Sequence, residues 1–141
     1  ATVELLQQMI RNQCVNNGTP ESGNEDRNAR LLRDELEGIG VDFEIIEPMP
    51  GRSSMIARYE GTDPNAPALC LMGHTDVVPV SPDGWLNDPF GGELITAENG
   101  TAEMSFAELG SRFDGHNERI DVESLKLNTE LWLNVCNRLW A

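Results

Sequence analysis

A histidine and an aspartate separated by one residue are the best candidates for chemistry in this chain. His74 and Asp76 lie in the stretch LCLMGHTDVVPV, directly after an apolar run that ends at Gly73. A neutral imidazole is a good zinc ligand, and an aspartate can hold its second ring nitrogen. Open α/β sheets also place their sites where strands end. The alternative is a loop histidine beside an aspartate that makes only a local turn bond.

The second histidine of the chain, His116, lies in the turn-rich stretch SRFDGHNERIDVE. Gly115 permits an unusual backbone angle beside it, and Glu118 is one of several polar neighbours. These features allow a ligand role for His116. The alternative is that Asp114 and Gly115 form a turn that leaves the histidine exposed.

Other catalytic signals are weak. Trp85, Asp88 and Phe90 follow the His-x-Asp turn, where aromatic side chains either line a pocket or fasten a long loop to the core. The chain contains no G-x-S-x-G, G-x-G-x-x-G or P-loop motif, which disfavours the nucleophile and nucleotide-binding classes.

The elements that must position these residues follow from periodicity. Helical spacing predicts helices over 3–10, over a second segment that ends before Gly38 and Gly40, and over 121–140 with Asp121 as N-cap. Strand-like segments are predicted at 41–47, 54–59, 68–72 and 93–96, of which the continuous apolar run 68–72 reads as the central strand. The order predicts one α/β domain with helices packed on a small mixed β-sheet.

Composition excludes several classes of partner. The chain of 141 residues has a net charge of −14, which argues against nucleic acid and against an anionic membrane surface. It has no apolar stretch that could span a bilayer, and its first residues lack the features of a signal peptide. Cys14, Cys70 and Cys136 are scattered, which favours reduced thiols in the cytoplasm, with Cys70 as a small core residue.

Three ordered motifs resemble the M20 family of zinc amidohydrolases, which includes carboxypeptidases, aminoacylases and acyl-amino-acid deacylases. They are LCLMGHTDVVPV, GWLNDPFGGEL and FDGHNERIDVESL. The resemblance implies that zinc is the cofactor and that the substrate is a peptide or an N-acyl amino acid. It also implies that His74 binds one zinc, that the catalytic role of Asp76 is to orient this histidine, and that His116 binds the other zinc. Glu118 belongs to the third motif without an assigned role.

The chain departs from the family in its middle. Residues 1–95 and 105–141 match, and only the joining segment 96–104 separates them. The metal-bridging aspartate, the pair of adjacent glutamates and the lid and dimerisation domain expected there are not visible. We therefore expect a truncated catalytic domain that is inactive or severely impaired, unless Glu98 or Glu103 reaches the site or a single ion is bound jointly by His74, Asp76, His116 and Glu118. The alternative is a catalytically silent α/β scaffold or binding domain, in which newly exposed apolar surface supports a homodimer.

Overall fold

The computed structural model describes residues 2–81, 83–95, 118 and 120–139. In chain order the described elements are helix α1 (Thr2–Arg11), helix α2 (Asp26–Leu36), strand β1 (Asp42–Met49), strand β2 (Arg52–Arg58) and helix α3 (Val122–Leu139). This is a small α/β arrangement, as predicted. Contacts divide the chain into two compact units, Gln8–Pro79 and Ala1–Gln7 with Val80–Ala141. We call them the His74 unit and the α3 unit, and the prediction of one domain stays a prediction.

The β-hairpin and α2 form the frame of the His74 unit. β1 and β2 pair antiparallel, with Ile45 opposite Met55, and a bulge interrupts the ladder between Ile46 and Met49. β1 therefore runs two residues past the predicted end at residue 47, through Pro48 to Met49. α2 packs mainly on β2. The strands predicted at 41–47 and 54–59 are thus confirmed, and they pair as a hairpin.

The start of α2 is joined to the hairpin by polar contacts. The N–H of Asp26 donates to the carbonyl oxygen of Gly51 at 3.1 Å. Glu25 is only 8% exposed and lies 2.8 Å from the guanidinium of Arg52. A buried carboxylate needs such a cation, because removing either partner would leave an uncompensated charge. At its other end α2 stops at Glu37, whose backbone is extended, and Gly38 follows with a φ of 82°.

The predicted central strand at 68–72 is wrong. These residues have no strand structure, Leu71 is 54% exposed and Met72 is 92% exposed. Cys70, predicted as a core residue, is exposed as well. A central strand needs a partner on each edge, but in the part of the chain that the structure describes β1 and β2 pair only with each other. Residues 93–95 also lack strand structure.

In the α3 unit, the predicted cap of the last helix is confirmed. Asp121 accepts a hydrogen bond from the backbone N–H of Ser124 at 2.7 Å and one from its hydroxyl at 2.5 Å. The side chain of Gln7 donates to the carbonyl oxygen of Gly92 at 2.6 Å, which holds the end of the loop containing Phe90 against α1. None of the described helices combines the length and the apolar character that a bilayer span requires.

Candidate metal-ligand site

His74 and Asp76 meet side chain to side chain. The Nδ1 atom of His74 lies 3.0 Å from Oδ1 of Asp76 and 3.0 Å from the backbone carbonyl oxygen of Asp76. Both neighbours are acceptors when the carboxyl is ionised, so Nδ1 must carry the proton and donate. The remaining ring nitrogen, Nε2, then presents a lone pair. The His74 side chain is 86% exposed, so a ligand can reach the ring from solvent.

The carboxylate of Asp76 has a second partner, which sequence reasoning missed. The amide Nδ2 of Asn16 donates to Oδ2 of Asp76 at 2.8 Å. This hydrogen bond, followed by the one from His74, holds the pKa of the Asp76 carboxyl below its usual value, while partial burial acts in the opposite direction. Asp76 is therefore ionised at neutral pH and acts only as an acceptor toward His74.

A short backbone bridge brings these distant segments together. Val15 and Val77 form an isolated parallel bridge. The N–H of Asn16 donates to the carbonyl oxygen of Val77 at 2.8 Å, and the N–H of Val77 donates to the carbonyl oxygen of Cys14 at 2.9 Å. Cys14 is 2% exposed, so this bridge is anchored in the small core of the unit. The bridge aligns the loop after α1 with the loop that carries the candidate site.

A buried amide holds the same loop from the side of α2. Asn28 is 1% exposed, and its Nδ2 donates to the carbonyl oxygen of Thr75 at 3.1 Å. Its Oδ1 accepts from Nδ2 of Asn12 at 2.8 Å. Sequence reasoning missed Asn28 too. The available signal was a polar residue one helical turn before Leu32 on the apolar stripe of α2, where a buried side chain must find partners.

The donor chemistry of this site fits zinc at one position. An imidazole with Nδ1 held by a carboxylate is the usual form of a zinc-binding histidine. A zinc site needs at least three protein ligands, however, and no group of three His, Cys, Asp or Glu side chains that could hold a metal occurs among the described residues. His116, the second predicted ligand, lies outside the described residues. Glu118 is described and exposed.

Comparison with known proteins identifies relatives of this chain. It is 33% identical to mouse aminoacylase-1 over 89 residues, which cover 63% of the chain and 21% of the relative. It is 35% identical over 109 residues to succinyl-diaminopimelate desuccinylase of Hydrogenovibrio crunogenus, covering 73% of the chain and 26% of that enzyme. The corresponding enzyme of Aromatoleum aromaticum is 41% identical over 92 residues, which cover 59% of the chain and 23% of that enzyme. The chain belongs to the M20 family of amidohydrolases.

This M20 chain is short beside its relatives. It spans 21 to 26% of the length of these three curated proteins. No family model matches the chain. No solved structure matches it either. Family membership therefore rests on the sequence relatives. That this chain has the activity of a whole M20 protein is only a proposal.

Proposed function

We propose that this chain carries part of the metal site of a zinc-dependent amide hydrolase. In this proposal His74 binds zinc through Nε2 and Asp76 orients the ring. The observation that carries it is the 3.0 Å contact between Nδ1 of His74 and Oδ1 of Asp76, which leaves the other ring nitrogen for a ligand. The M20 resemblance supports His116 as a ligand of the second zinc.

The proposed substrates are N-acyl amino acids or peptides. Two relatives are named aminoacylase-1 and succinyl-diaminopimelate desuccinylase, and both names denote removal of an acyl group from an amino compound. When bound, zinc would polarise the amide carbonyl and make water more acidic. The part that His74 and Asp76 play is to supply one nitrogen donor in a fixed orientation.

We further propose that the chain alone is inactive or severely impaired as a hydrolase. One imidazole does not make a three-ligand site. The M20 bridging aspartate and glutamate pair were not found in the sequence, and loss of a general base alone costs about 10²–10⁴ in rate. Hydrolysis should therefore be absent, and zinc held by His74 should bind weakly, so that excess zinc is needed to detect it.

Zinc titration with thermal melting tests the metal proposal. Ligand binding to the folded state adds about 2.7 kcal/mol when the free ligand is at 100 times its Kd, so zinc should raise the melting temperature. His74→Ala should abolish the shift. Asp63→Asn is the matched control, because Asp63 is exposed and its side chain, among the described residues, accepts a hydrogen bond only from the nearby N–H of Asn65. A wild-type melting curve that excess zinc or cobalt leaves unchanged would contradict the proposal.

An assay with N-acetyl amino acids tests the proposed inactivity. We expect no release of free amino acid above background at saturating zinc. Turnover that disappears in His74→Ala would show instead that the site is complete, and would also exclude a silent scaffold.

A second candidate function, self-association, is favoured by exposed apolar surface. Leu71 and Met72 are exposed beside the proposed ligand, and Val77 and Val78 are 46% and 55% exposed. Apolar runs of this kind promote association. We propose a homodimer as the alternative, and light scattering should then show a dimer that Met72→Asp weakens. A monomer at all concentrations contradicts it.

We also propose a cytoplasmic location. All three cysteines are free, and Cys70 is exposed, which suits a reducing compartment. Localisation of the full natural protein with a fluorescent tag tests this, and a secreted product would refute it.

A further inference from the structure

Both oxygens of the Asp76 carboxylate are engaged, each by a different segment of the chain. Oδ1 accepts from Nδ1 of His74 at 3.0 Å, and Oδ2 accepts from Nδ2 of Asn16 at 2.8 Å. Asp76 has a side chain that is 27% exposed, so it is partly shielded from water. A carboxylate held at both oxygens has little freedom to rotate. Asn16 therefore affects the position of the Asp76 carboxylate that accepts from His74.

The amide of Asn16 is itself held in one orientation. Its Oδ1 accepts from the backbone N–H of Gly18 at 2.9 Å, and the hydroxyl of Ser22 lies 3.3 Å from the same oxygen. Flipping the amide would set its NH₂ against the N–H of Gly18 and its oxygen against Asp76. Both contacts would then be repulsive. The Nδ2 group must consequently point at the carboxylate.

A backbone hydrogen bond also holds Asn16 next to Asp76. The N–H of Asn16 donates to the carbonyl oxygen of Val77, the residue next to Asp76, at 2.8 Å. Main chain and side chain of Asn16 thus reach adjacent residues of the same loop. A residue that served only to tie two loops together would need the backbone bond alone, whereas the side-chain bond reaches the carboxylate that faces His74.

We propose that Asn16 is a positioning residue for the His74 metal ligand. It holds the Asp76 carboxylate on Nδ1 of His74, where the backbone carbonyl oxygen of Asp76 is a second acceptor at 3.0 Å. The two acceptors together favour the Nδ1–H tautomer and leave Nε2 for zinc, and Asn16 controls the carboxylate's share of this preference. This inference rests on the proposed function for its zinc part. Its tautomer part concerns the metal-free protein and stands independently.

Asn16→Asp is the sharpest variant, because it is isosteric and keeps an oxygen for the N–H of Gly18. It replaces the donor toward Asp76 by a second acceptor. Asn16→Ala is the companion variant and removes both contacts without adding charge. Asn17→Ala is the matched control, since Asn17 is the adjacent asparagine of the same loop and, among the described residues, its exposed side chain accepts only from the N–H of Thr19.

The first measurement is the tautomer of His74 in metal-free protein, read from ¹⁵N shifts of the ring and assigned with His74→Gln. We expect the Nδ1–H form in the wild type and in Asn17→Ala, and a shift toward Nε2–H in both Asn16 variants. Circular dichroism confirms that each variant is folded. An unchanged tautomer in a folded Asn16→Asp overturns the proposal, and so does an equal change in Asn17→Ala.

The second measurement is the Kd for zinc, determined by competition with a chelating dye. Loss of the group bonded to a ligating histidine typically weakens metal binding about 10–100-fold, and Asn16 acts through that group, Asp76, so we expect the Asn16 variants to lose affinity by no more than this. Equal affinity in the variants and the wild type overturns the zinc part. If the wild type binds no zinc, the proposed function fails, and the positioning role of Asn16 is then decided by the tautomer alone.

Discussion

Replacing Asn28 by alanine should loosen the loop that carries His74. The Asn28 side chain is 1% exposed and makes two hydrogen bonds, one to the carbonyl oxygen of Thr75 and one from the amide of Asn12. Alanine keeps the helix but makes neither bond. The effect should therefore be local to the contact between α2 and residues 74–76, with a measurable cost in stability.

The magnitude follows from the two bonds. Each contributes about 1–1.5 kcal/mol net, so their loss costs ~2–3 kcal/mol. Alanine returns about 0.5 kcal/mol because it is the better helix former. The expected net loss is about 2 kcal/mol. For a unit of this size each kcal/mol lowers the melting temperature by about 4–8 °C, so the transition should fall by ~8–16 °C.

Thermal and urea melts of the metal-free protein measure this loss. A decrease below about 2 °C in Asn28→Ala, at unchanged helix content, would refute the reasoning, because it would mean that the buried amide contributes nothing net. Asn12→Ala is the partner control and should cost less, since Asn12 is only partly buried and its amide reaches water in part.

Asn28→Asp adds a pH test of the same contact. The ionised carboxylate still accepts from Asn12 but sets a negative oxygen against the carbonyl of Thr75. Burial disfavours this charge and raises the pKa of the new carboxyl in the folded state. A raised folded-state pKa means that stability is present below the unfolded value of about 4 and lost as the pH rises through the folded value. The stability difference from the wild type should thus be small in acid and largest at neutral pH, and a difference that grows in acid would contradict the assignment.

Three further outcomes are expected. Asp121→Ala should lower the circular dichroism signal of α3 at pH 7; because hydrogen bonds from Ser124 lower the pKa of Asp121, the native cap should persist above the ordinary aspartate pKa and weaken in acid. Ellman's reagent should label Cys70 before Cys14, since burial raises the pKa of the Cys14 thiol and Cys70 is exposed. Gly92→Ala should cost about 1–3 kcal/mol in a urea melt, because Gly92 has a φ of 59° and its Cβ would stand 2.9 Å from a carbonyl oxygen of α1.

Elements with a local cause were predictable from the sequence. The helices α1 and α2 follow apolar residues at helical spacing, and α2 ends where Gly38 takes a positive φ. The cap at Asp121 needs only Ser124, three residues away. The hairpin needs two short segments and a turn between them. Each of these depends on contacts within a few residues or between adjacent elements, which a sequence pattern can report.

The prediction of a strand at 68–72 was wrong because a central strand depends on contacts with distant segments. Its apolar residues indicate that the segment is suited to burial. Burial also requires neighbouring strands or helices, and a pattern within the segment does not show whether these exist. In the described part of the chain those partners are lacking, and Met72 stands 92% exposed. The hydrophobicity of residues 68–72 shows that they could be buried, and does not show that they are.

In the candidate site, too, the local contact was predictable and the long-range contacts were not. The pairing of His74 with Asp76 spans two residues and was expected from their spacing. Asn16 and Asn28 reach the site across 60 and 47 residues, and nothing in their immediate sequence marks them as its neighbours. The helical pattern of α2 marks Asn28 as a polar residue on a buried face, but no pattern identifies the hydrogen-bond partner of a single amide, so structure was needed to find these bonds.

The geometry of the His74 site does not depend on a central strand before it. Side-chain amides from the loop after α1 and from α2 hold residues 75 and 76, while the apolar run ahead of Gly73 has no strand structure. The orientation of His74, the proposed metal ligand, is therefore built within the His74 unit, from contacts that residues 8–79 supply themselves. Completing a metal site needs further ligands, and hydrolysis needs a general base as well. For this reason amide hydrolysis has requirements that the orientation of His74 and the affinity for zinc do not share. Asn16→Asp should change the orientation and the affinity in a protein that we propose is already inactive as a hydrolase.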